Sequence, residues 1–389
     1  MKQNRKKKTM IKAGRCEAIF HQINRHYIRL KEKQKKEYTR ILFIVLKKLI
    51  HIMRKGDKLF DSLRPKLDFL GSYFDRLRIG QPNEYDINII LKFPVNYDKI
   101  ILDAANSSND YTAIVMPSEF RRLSKIAATS NQGFVKTTSW CNEEFKLSVV
   151  KFRSWMQRTV DVAINSLPLE DGMRVLKVDN KYKYKLHTNL SGPANTITIV
   201  KDDNDVINID LVPSFAFSLP KKPIHSKVLF TRVESTKILR YFVVPKPNSD
   251  DYSWRLAFPF QERYFLKNSN NLKSTIRIIK QFRDVQGFTK LTSYFIKTLF
   301  FWECASNDKS YWCKNSLSFL VLKMLNKLKE SLCNHNIPNF WCPSHNILEK
   351  IKPETCHHWH NRICHILTDI EKRLKFDHNV IFDYFVKSK

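Results

Sequence analysis

The sequence is poor in glycine, with 8 in 389 residues, which disfavours barrels and sandwiches built on many tight turns. It has no long apolar run, because the longest, residues 41–46, ends at Lys47 and Lys48 and is far too short to cross a bilayer. The 8 cysteines are not closely paired and no secretory signal is present, which predicts a reducing, cytoplasmic compartment. The length and the 43% hydrophobic content allow two domains with a sizeable core.

Acidic residues are too few to balance the basic ones, and the formal net charge is +31. Residues 1–55 alone hold 18 lysines and arginines against three glutamates. Such a surplus predicts a polyanionic partner, which is nucleic acid, an anionic membrane or both. Residues 1–14 are predicted to be a mobile basic tail.

Residues 15–56 contain no proline and are predicted to form one long amphipathic helix. On a wheel at about 100° per residue, basic side chains share an arc opposite an apolar face. A solvated helix face is the simpler interpretation, but such faces normally interleave acids with bases. We therefore predict that this basic stripe binds nucleic acid. Its members are Arg25, Arg29, Lys33, Lys36, Arg40 and Lys47.

A turn at Gly71 and Ser72 precedes a predicted strand that carries Glu84 and Asp86. The turn is predicted to open a helix, whose free backbone N–H groups favour anions. Alternate side chains of a strand share a face, so the two carboxylates point the same way. Either feature alone is more typical of an ordinary turn or a solvated strand. Together, they suit a divalent cation with a triphosphate.

A third acid, Asp210, interrupts the apolar strand predicted for residues 206–212. A carboxylate within an apolar strand needs a partner. A metal ion shared with Glu84 and Asp86 would supply one, and this arrangement predicts metal-dependent phosphoryl or nucleotidyl transfer.

The run from Gly71-Ser72-Tyr73-Phe74-Asp75 to Pro82-Asn83-Glu84-Tyr85-Asp86 resembles the active site of cyclic GMP-AMP synthase (cGAS) and the cGAS-like receptors. The resemblance extends over roughly residues 60–380. It implies an α+β, bilobed nucleotidyltransferase fold. Residues 57–265 would form a mixed β-sheet lobe, residues 15–56 a spine helix behind it, and residues 266–389 a helical lobe.

The same resemblance, carried over position by position, implies further roles. The three acids Glu84, Asp86 and Asp210 would be catalytic and hold Mg²⁺ or Mn²⁺. Where the family has two serines after its pocket arginine, this chain has Ala257 and Pro259, which leaves the nucleotide preference and linkage open. The implied nucleotide-binding residues are Gly71, Ser72, Lys246, Arg255, Lys280, Ser293 and Tyr294.

The zinc-binding thumb of cGAS, made by one histidine and three cysteines, has no counterpart, because residues 266–273 contain neither residue type. In this respect the chain resembles the insect receptors, which respond to double-stranded RNA. A second group of cysteines and histidines, over residues 333–365, includes Cys342 and His345 at a zinc-like spacing. The surrounding loop also resembles a family loop without metal ligands, so metal binding there is left open.

The resemblance thus implies an innate immune sensor that is switched on by double-stranded RNA along the basic stripe. ATP and GTP would be joined into a cyclic dinucleotide of the cyclic GMP-AMP type with release of pyrophosphate. A homodimer on the nucleic acid is also compatible with it. Three alternatives stay open: activation by double-stranded DNA, a non-catalytic nucleic-acid-binding relative, and a template-independent terminal transferase acting on RNA ends.

Overall fold

The computed structural model describes residues 16–105, 110–129, 137, 139–178, 182–202, 205–267, 270–377 and 379–386. The basic tail predicted for residues 1–14 lies outside these residues. The described chain divides into two compact units. We call residues 32–74 and 82–261 the sheet unit, and residues 16–31, 75–81 and 262–386 the helical unit.

The sheet unit is organised around an 11-stranded sheet. The strands lie in the order β3-β4-β11-β10-β9-β8-β7-β6-β5, while β2 pairs with β9 and β1 pairs with β2. The β2–β9 pair is parallel. The strands are β1 (Lys66–Leu70), β2 (Glu84–Ile90), β3 (Ile101–Ala104), β4 (Tyr111–Val115), β5 (Leu169–Glu170), β6 (Met173–Val178), β7 (Tyr182–Ser191), β8 (Ala194–Asp202), β9 (Asp205–Ser218), β10 (Arg240–Val244) and β11 (Trp254–Ala257).

Helices cover the sheet and form the other unit. In chain order they are α1 (16–23), α2 (Glu32–Gly56), α3 (Lys58–Ser62), α4 (Gly71–Phe74), α5 (Pro117–Thr129), α6 (Val149–Asn165), α7 (Lys227–Ser235), α8 (Pro259–Phe265), α9 (Asn270–Val285), α10 (Ser293–Ser306), α11 (Tyr311–Lys314), α12 (Leu317–Cys333), α13 (Pro353–Arg373) and α14 (Val380–Phe385). Short 3₁₀ turns span Tyr97–Lys99 and Ile224–Ser226. Across the described helices, none combines the length and apolar character that a bilayer span requires.

The apolar face of α2 packs against α6 in the sheet unit. Its buried residues recur every three or four positions, as the sequence pattern predicts for an amphipathic helix: Tyr38, Ile41, Leu42, Val45, Leu46, Leu49 and Met53. The helix ends at Gly56, and Asp57 then caps α3 by accepting a hydrogen bond from the Phe60 N–H at 2.9 Å.

The prediction of one unbroken helix over residues 15–56 is wrong. The first helix passes into a π-helical turn at Asn24–Ile28, Arg29 is extended (φ −64°, ψ 130°), and α2 begins at Glu32. A tertiary contact accounts for the break. The Asn24 side chain donates to Ser274 Oγ at 3.3 Å and accepts from Arg277 at 3.3 Å, both on α9. The predicted basic stripe is therefore divided, with Arg25 and Arg29 in the helical unit.

Candidate active site

Three carboxylates lie on one face of the neighbouring strands β2 and β9. Asp86 and Asp210 are direct partners in the parallel pair, and Glu84 lies opposite Asn208. The alternate side chains Tyr85 and Ile87 are buried on the other face. Because side chains of a strand alternate, the core occupies one face of this pair and leaves the acidic face accessible. The structure thus places the three acids that the sequence singled out on one face of two neighbouring strands.

Gly71 follows β1 directly and contacts Asp86. Its φ is +75°, and an added Cβ would lie 1.6 Å from Asp86 Oδ2. Glycine is therefore required twice, for its backbone conformation and for the close approach of the carboxylate. The half-buried Ser72 comes next, on a helix of one turn. So short a helix has little macrodipole, and what the turn offers an anion is its N–H groups and the Ser72 hydroxyl.

Asp210 is held in a setting that penalises its negative charge. The Thr196 hydroxyl donates to Asp210 Oδ1 at 2.5 Å. Burial raises the pKa of Asp210, the charge of Glu84 raises it further, and the Thr196 hydrogen bond opposes the rise. A cation beside Asp210 and Glu84 would remove this penalty.

The donor set suits a hard divalent cation in residue type and strand register, since Mg²⁺ and Mn²⁺ prefer carboxylate oxygens. Among the residues with described positions, however, no group of three or more His, Cys, Asp or Glu is arranged to hold a metal ion. Asp86 lies against Gly71, and Asp210 bonds to Thr196 on β8. The carboxylates must therefore turn toward one another before they can share an ion.

The turn is also tied to α2 through Tyr73. Its hydroxyl lies 2.6 Å from Thr39 Oγ1 on α2. Its ring packs edge-on against Tyr85, with centroids 4.8 Å apart. Tyr85 lies between Glu84 and Asp86 on β2. Tyr73 therefore connects α2 with the strand that carries the two acids. Sequence reasoning missed the role of Thr39 and Tyr73, because nothing local indicates that the two meet.

Arg255 lies on β11, and Lys246 follows the end of β10 by two residues. Arg255 of β11 pairs with Val244 of β10. Ala257 lies two residues after Arg255, on the same face of β11, and packs against Phe242 of β10. Both register and packing place Arg255 on the face of the sheet that carries Asp210. The Arg255 guanidinium lies 3.7 Å from the buried carboxylate of Asp110. Lys246 closes a tight turn after β10, its N–H donating to the Val244 carbonyl at 2.9 Å.

The other predicted nucleotide-binding residues belong to the helical unit. Lys280 is only 3% exposed, and its Nζ donates to the Leu77 carbonyl at 2.9 Å. Burial, followed by the nearby Arg283, lowers the pKa of Lys280 to about 8. Ser293 begins α10, and its hydroxyl accepts a hydrogen bond from Arg283 at 3.0 Å. Tyr294 is half-buried beside it.

Residues 75–77, which follow the Gly71–Phe74 helix in the chain, are held by basic side chains. Arg263 donates to Asp75 Oδ1 at 2.8 Å, and Arg277 donates to the Arg76 carbonyl at 2.9 Å. Lys280 holds the next carbonyl, that of Leu77, so both α8 and α9 fix this segment. No local sequence pattern indicates the role of the two arginines, because their partners lie 188 and 201 residues away in the chain.

The four α2 members of the basic stripe, Lys33, Lys36, Arg40 and Lys47, are exposed and share one arc of the helix. Acidic residues neutralise little of this basic surface, because Glu37 of α2 is already paired with Lys201 on β8 at 3.0 Å. Arg25 and Arg29 are exposed in the helical unit.

Two of the carboxy-terminal histidines make local contacts. The His335 ring bonds to the Ile351 carbonyl at 2.7 Å, and the His360 ring bonds to the Lys329 carbonyl at 3.0 Å. The other His360 nitrogen lies 3.4 Å from Cys364 Sγ.

Two family models match the chain: the Mab-21 protein nucleotidyltransferase domain over residues 73–268 and the Mab-21 protein HhH/H2TH-like domain over residues 271–387. A cyclic GMP-AMP synthase-like receptor of Aethina tumida is 31% identical over 386 residues, covering 97% of this chain and 93% of that protein. Proteins of the same name from Trichogramma pretiosum and Tribolium castaneum are each 28% identical. These two matches cover 97% and 91% of this chain, and 78% and 89% of the relatives.

Proposed function

Since this chain belongs to the cyclic GMP-AMP synthase-like receptors and has their Mab-21 nucleotidyltransferase domain, we propose that it joins ATP and GTP into a cyclic dinucleotide when double-stranded RNA binds. The observation that carries the proposal is the pairing of Asp86 with Asp210, with Glu84 on the same face and Gly71 against Asp86. All 8 cysteines are free thiols, which suits action in the cytoplasm.

Glu84, Asp86 and Asp210 would hold Mg²⁺ or Mn²⁺, which supplies positive charge to the attacking hydroxyl and the leaving pyrophosphate. The Ser72 hydroxyl and the neighbouring N–H groups bind the donor triphosphate. The missing side chain of Gly71 lets Asp86 approach that phosphate chain. A ribose hydroxyl attacks the α-phosphate, the new P–O bond forms as the bond to pyrophosphate breaks, and a second such step closes the ring.

For the remaining nucleotide-binding residues, the proposal rests on resemblance and side-chain chemistry. Lys246 and Arg255 line the nucleotide pocket in the sheet unit. Lys280 and Ser293 bind phosphate, and Tyr294 stacks on a base, because every base offers a π face. A bound phosphate would favour the charged form of Lys280, which burial now disfavours.

The activator binds the exposed stripe of α2, together with Arg25 and Arg29. The surplus of lysine and arginine contacts phosphates rather than bases, so binding is length-dependent, weakly sequence-specific and sensitive to salt. The lack of zinc-binding residues over 266–273 favours RNA over DNA. A homodimer on the nucleic acid stays a prediction.

The test incubates the purified chain with ATP, GTP and Mn²⁺, and with long double-stranded RNA, long double-stranded DNA or neither. We expect a phosphatase-resistant product with RNA, and none from Asp86→Asn or Asp210→Asn under the same conditions. Product with DNA alone would identify a DNA-activated enzyme. No product with any ligand would identify a non-catalytic relative, and extension of a labelled oligonucleotide would identify a terminal transferase.

A further inference from the structure

A pocket of about 910 Å³ opens on the sheet unit, toward the opposite ends of the strands that carry the acids. It is lined by Lys66 at the start of β1, Ile90 at the end of β2, Ala216 near the end of β9 and Arg240 at the start of β10. Ala216 follows Asp210 by six positions on β9, or ~20 Å at the rise of a strand. The pocket is therefore distinct from the candidate active site.

The lining of this pocket carries a surplus of positive charge. Five of its residues are basic and one, Asp98, is acidic: Arg64, Lys66, Lys92, Lys221 and Arg240 are the basic ones. Arg240 pairs with Asp68 at 3.2 Å. The Lys221 ammonium donates to the backbone carbonyl of Asp98 at 2.7 Å, and this acceptor is a neutral group.

The three cations on the rim are the least compensated. Arg64, Lys66 and Lys92 are exposed, and within the described part of the chain no carboxylate forms an ion pair with them. Several like charges around one concave site repel one another, and an anion that enters the site removes that repulsion. The charge pattern therefore fits a ligand with more than one negative group.

The floor of the pocket is apolar and partly aromatic. Ile90, Phe217 and Leu91 are buried there, and Pro220 lines one side. The Tyr97 ring lies 5.5 Å from the Phe217 ring. A ligand that fills this space presents its charges to the rim and a less polar body to the floor.

We propose that this pocket binds a small polyphosphorylated molecule, of the nucleoside polyphosphate or inositol polyphosphate class, independently of Glu84, Asp86 and Asp210. Adjacent phosphates match a rim of lysine and arginine better than a single carboxylate does, because each cation finds its own oxygen. A nucleic-acid duplex tracks an extended surface such as the α2 stripe, whereas this site is a concave pocket with apolar walls.

The test is calorimetric titration of the full chain with inorganic tripolyphosphate, in EDTA and at low salt. We expect one site whose affinity falls by about tenfold or more in the double variant Lys66→Glu/Lys92→Glu, since reversing two nearby charges turns attraction into repulsion. Lys66→Arg/Lys92→Arg keeps the charge and should keep the affinity. Both positions are exposed, so a thermal unfolding curve should show an intact fold.

Two matched controls locate the ligand. Lys36→Glu/Lys47→Glu makes the same charge change on α2, and Asp86→Asn/Asp210→Asn alters the candidate active site. Affinity within about twofold of wild type in both controls supports the pocket. An equal loss in the α2 variant, any dependence on the Asp86/Asp210 variant, or no binding at all would overturn the proposal.

Parallel titrations with ATP, GTP and inositol hexakisphosphate distinguish the two ligand classes. A nucleoside triphosphate that binds more tightly than tripolyphosphate, with the gain lost in Phe217→Ala, would show that the floor holds the base. Tighter binding of the inositol compound, with the same dependence on Lys66 and Lys92, would assign the other class. Either result supports a polyphosphate site.

Discussion

Replacing Gly71 by alanine tests whether the turn and Asp86 form one site. The substitution adds a single methyl group. Its carbon would lie 1.6 Å from Asp86 Oδ2 and 2.4 Å from the carboxyl carbon. Non-bonded carbon and oxygen atoms do not approach closer than ~3.3 Å, so the carboxylate must move by well over 1 Å. The added carbon would also lie 2.7 Å from Asp86 Cβ, so a new rotamer is not enough and the backbone must shift as well.

The expected cost has two parts. The φ of +75° costs an alanine about 1–2 kcal/mol. Displacing the Asp86 side chain adds about 0.5–1.5 kcal/mol. The two costs together are about 1.5–3.5 kcal/mol, and each kcal/mol lowers the unfolding midpoint of a unit of this size by about 2–4 °C, so we expect a fall of about 3–14 °C. Misplacing a reacting group by 1 Å can cost about 10²-fold in rate, which sets the expected loss of turnover.

Gly172→Ala is the matched control. Gly172 has a φ of +74°, and an added Cβ would meet nothing within 4 Å. It therefore bears the backbone cost alone, about 1–2 kcal/mol, and should keep full activity. Gly80, with a φ of +73° and the same open space, repeats the control nine residues after Gly71 in the chain.

Two assays run side by side: pyrophosphate release with ATP, GTP, Mn²⁺ and double-stranded RNA, and the rise in unfolding midpoint that Mn²⁺ alone produces. We expect Gly71→Ala to lose both, because a displaced Asp86 no longer shares the ion, while Gly172→Ala keeps both. The reasoning is refuted if Gly71→Ala retains the turnover and Mn²⁺ response of Gly172→Ala.

Three further predictions concern charge. Without divalent cations, Asp210→Asn should raise the unfolding midpoint at pH 8, because burial and Glu84 raise the pKa of Asp210; the gain should shrink as the pH falls through that raised pKa, and a constant gain would contradict it. In urea, the free energy of unfolding of wild type should rise relative to that of Lys280→Met between about pH 8 and 10, because the pKa of Lys280 is lowered to about 8 in the folded protein. A difference between the two proteins that does not change with pH would contradict this prediction. Filter binding should show that Lys36→Glu/Arg40→Glu weakens binding of double-stranded RNA at least about tenfold and reduces the slope of log affinity against log salt concentration by about two. The control Lys372→Glu should change neither the affinity nor the slope.

The strand pattern was enough to predict that Glu84 and Asp86 share a face, because alternation is a local property. It also placed Asp210 on a strand, where the structure has it. The pairing of Asp86 with Asp210 is not local, since it depends on the parallel register of two strands far apart in the chain. A turn at Gly71 was predictable. The second reason for glycine at this position is the close approach of Asp86, which becomes visible only in three dimensions.

The break between α1 and α2 shows the same limit. Residues 15–56 have a good helical pattern and contain no proline, so the sequence predicts continuity. The side chain of Asn24 instead finds partners on Ser274 and Arg277, about 250 residues away. A helical wheel drawn through this segment joins residues of two different units. Only the α2 members of the stripe keep the predicted common face.

The position of the stripe bears on how a bound polyanion could act on the acids. Lys36 and Arg40 flank Thr39, which bonds to Tyr73 at 2.6 Å, and Tyr73 packs on Tyr85. One hydrogen bond contributes only about 1 kcal/mol, roughly a fivefold change in a two-state equilibrium. A change from almost fully off to almost fully on needs about 5.5 kcal/mol of differential binding. The Thr39 contact alone is too weak to be the switch.

A second connection runs from α2 to the other acidic strand. The Tyr38 hydroxyl donates to Asp205, the first residue of β9. Lys201 bridges Asp205 at 2.8 Å and Glu37 at 3.0 Å. Asp205 precedes Asp210 by five residues on the same strand, so α2 is bonded both to the turn beside Asp86 and to the strand of Asp210. Under the proposed function, a duplex bound on α2 would act on both connections at once, so the energy that biases the two carboxylates would be that of all these contacts and not of one hydrogen bond.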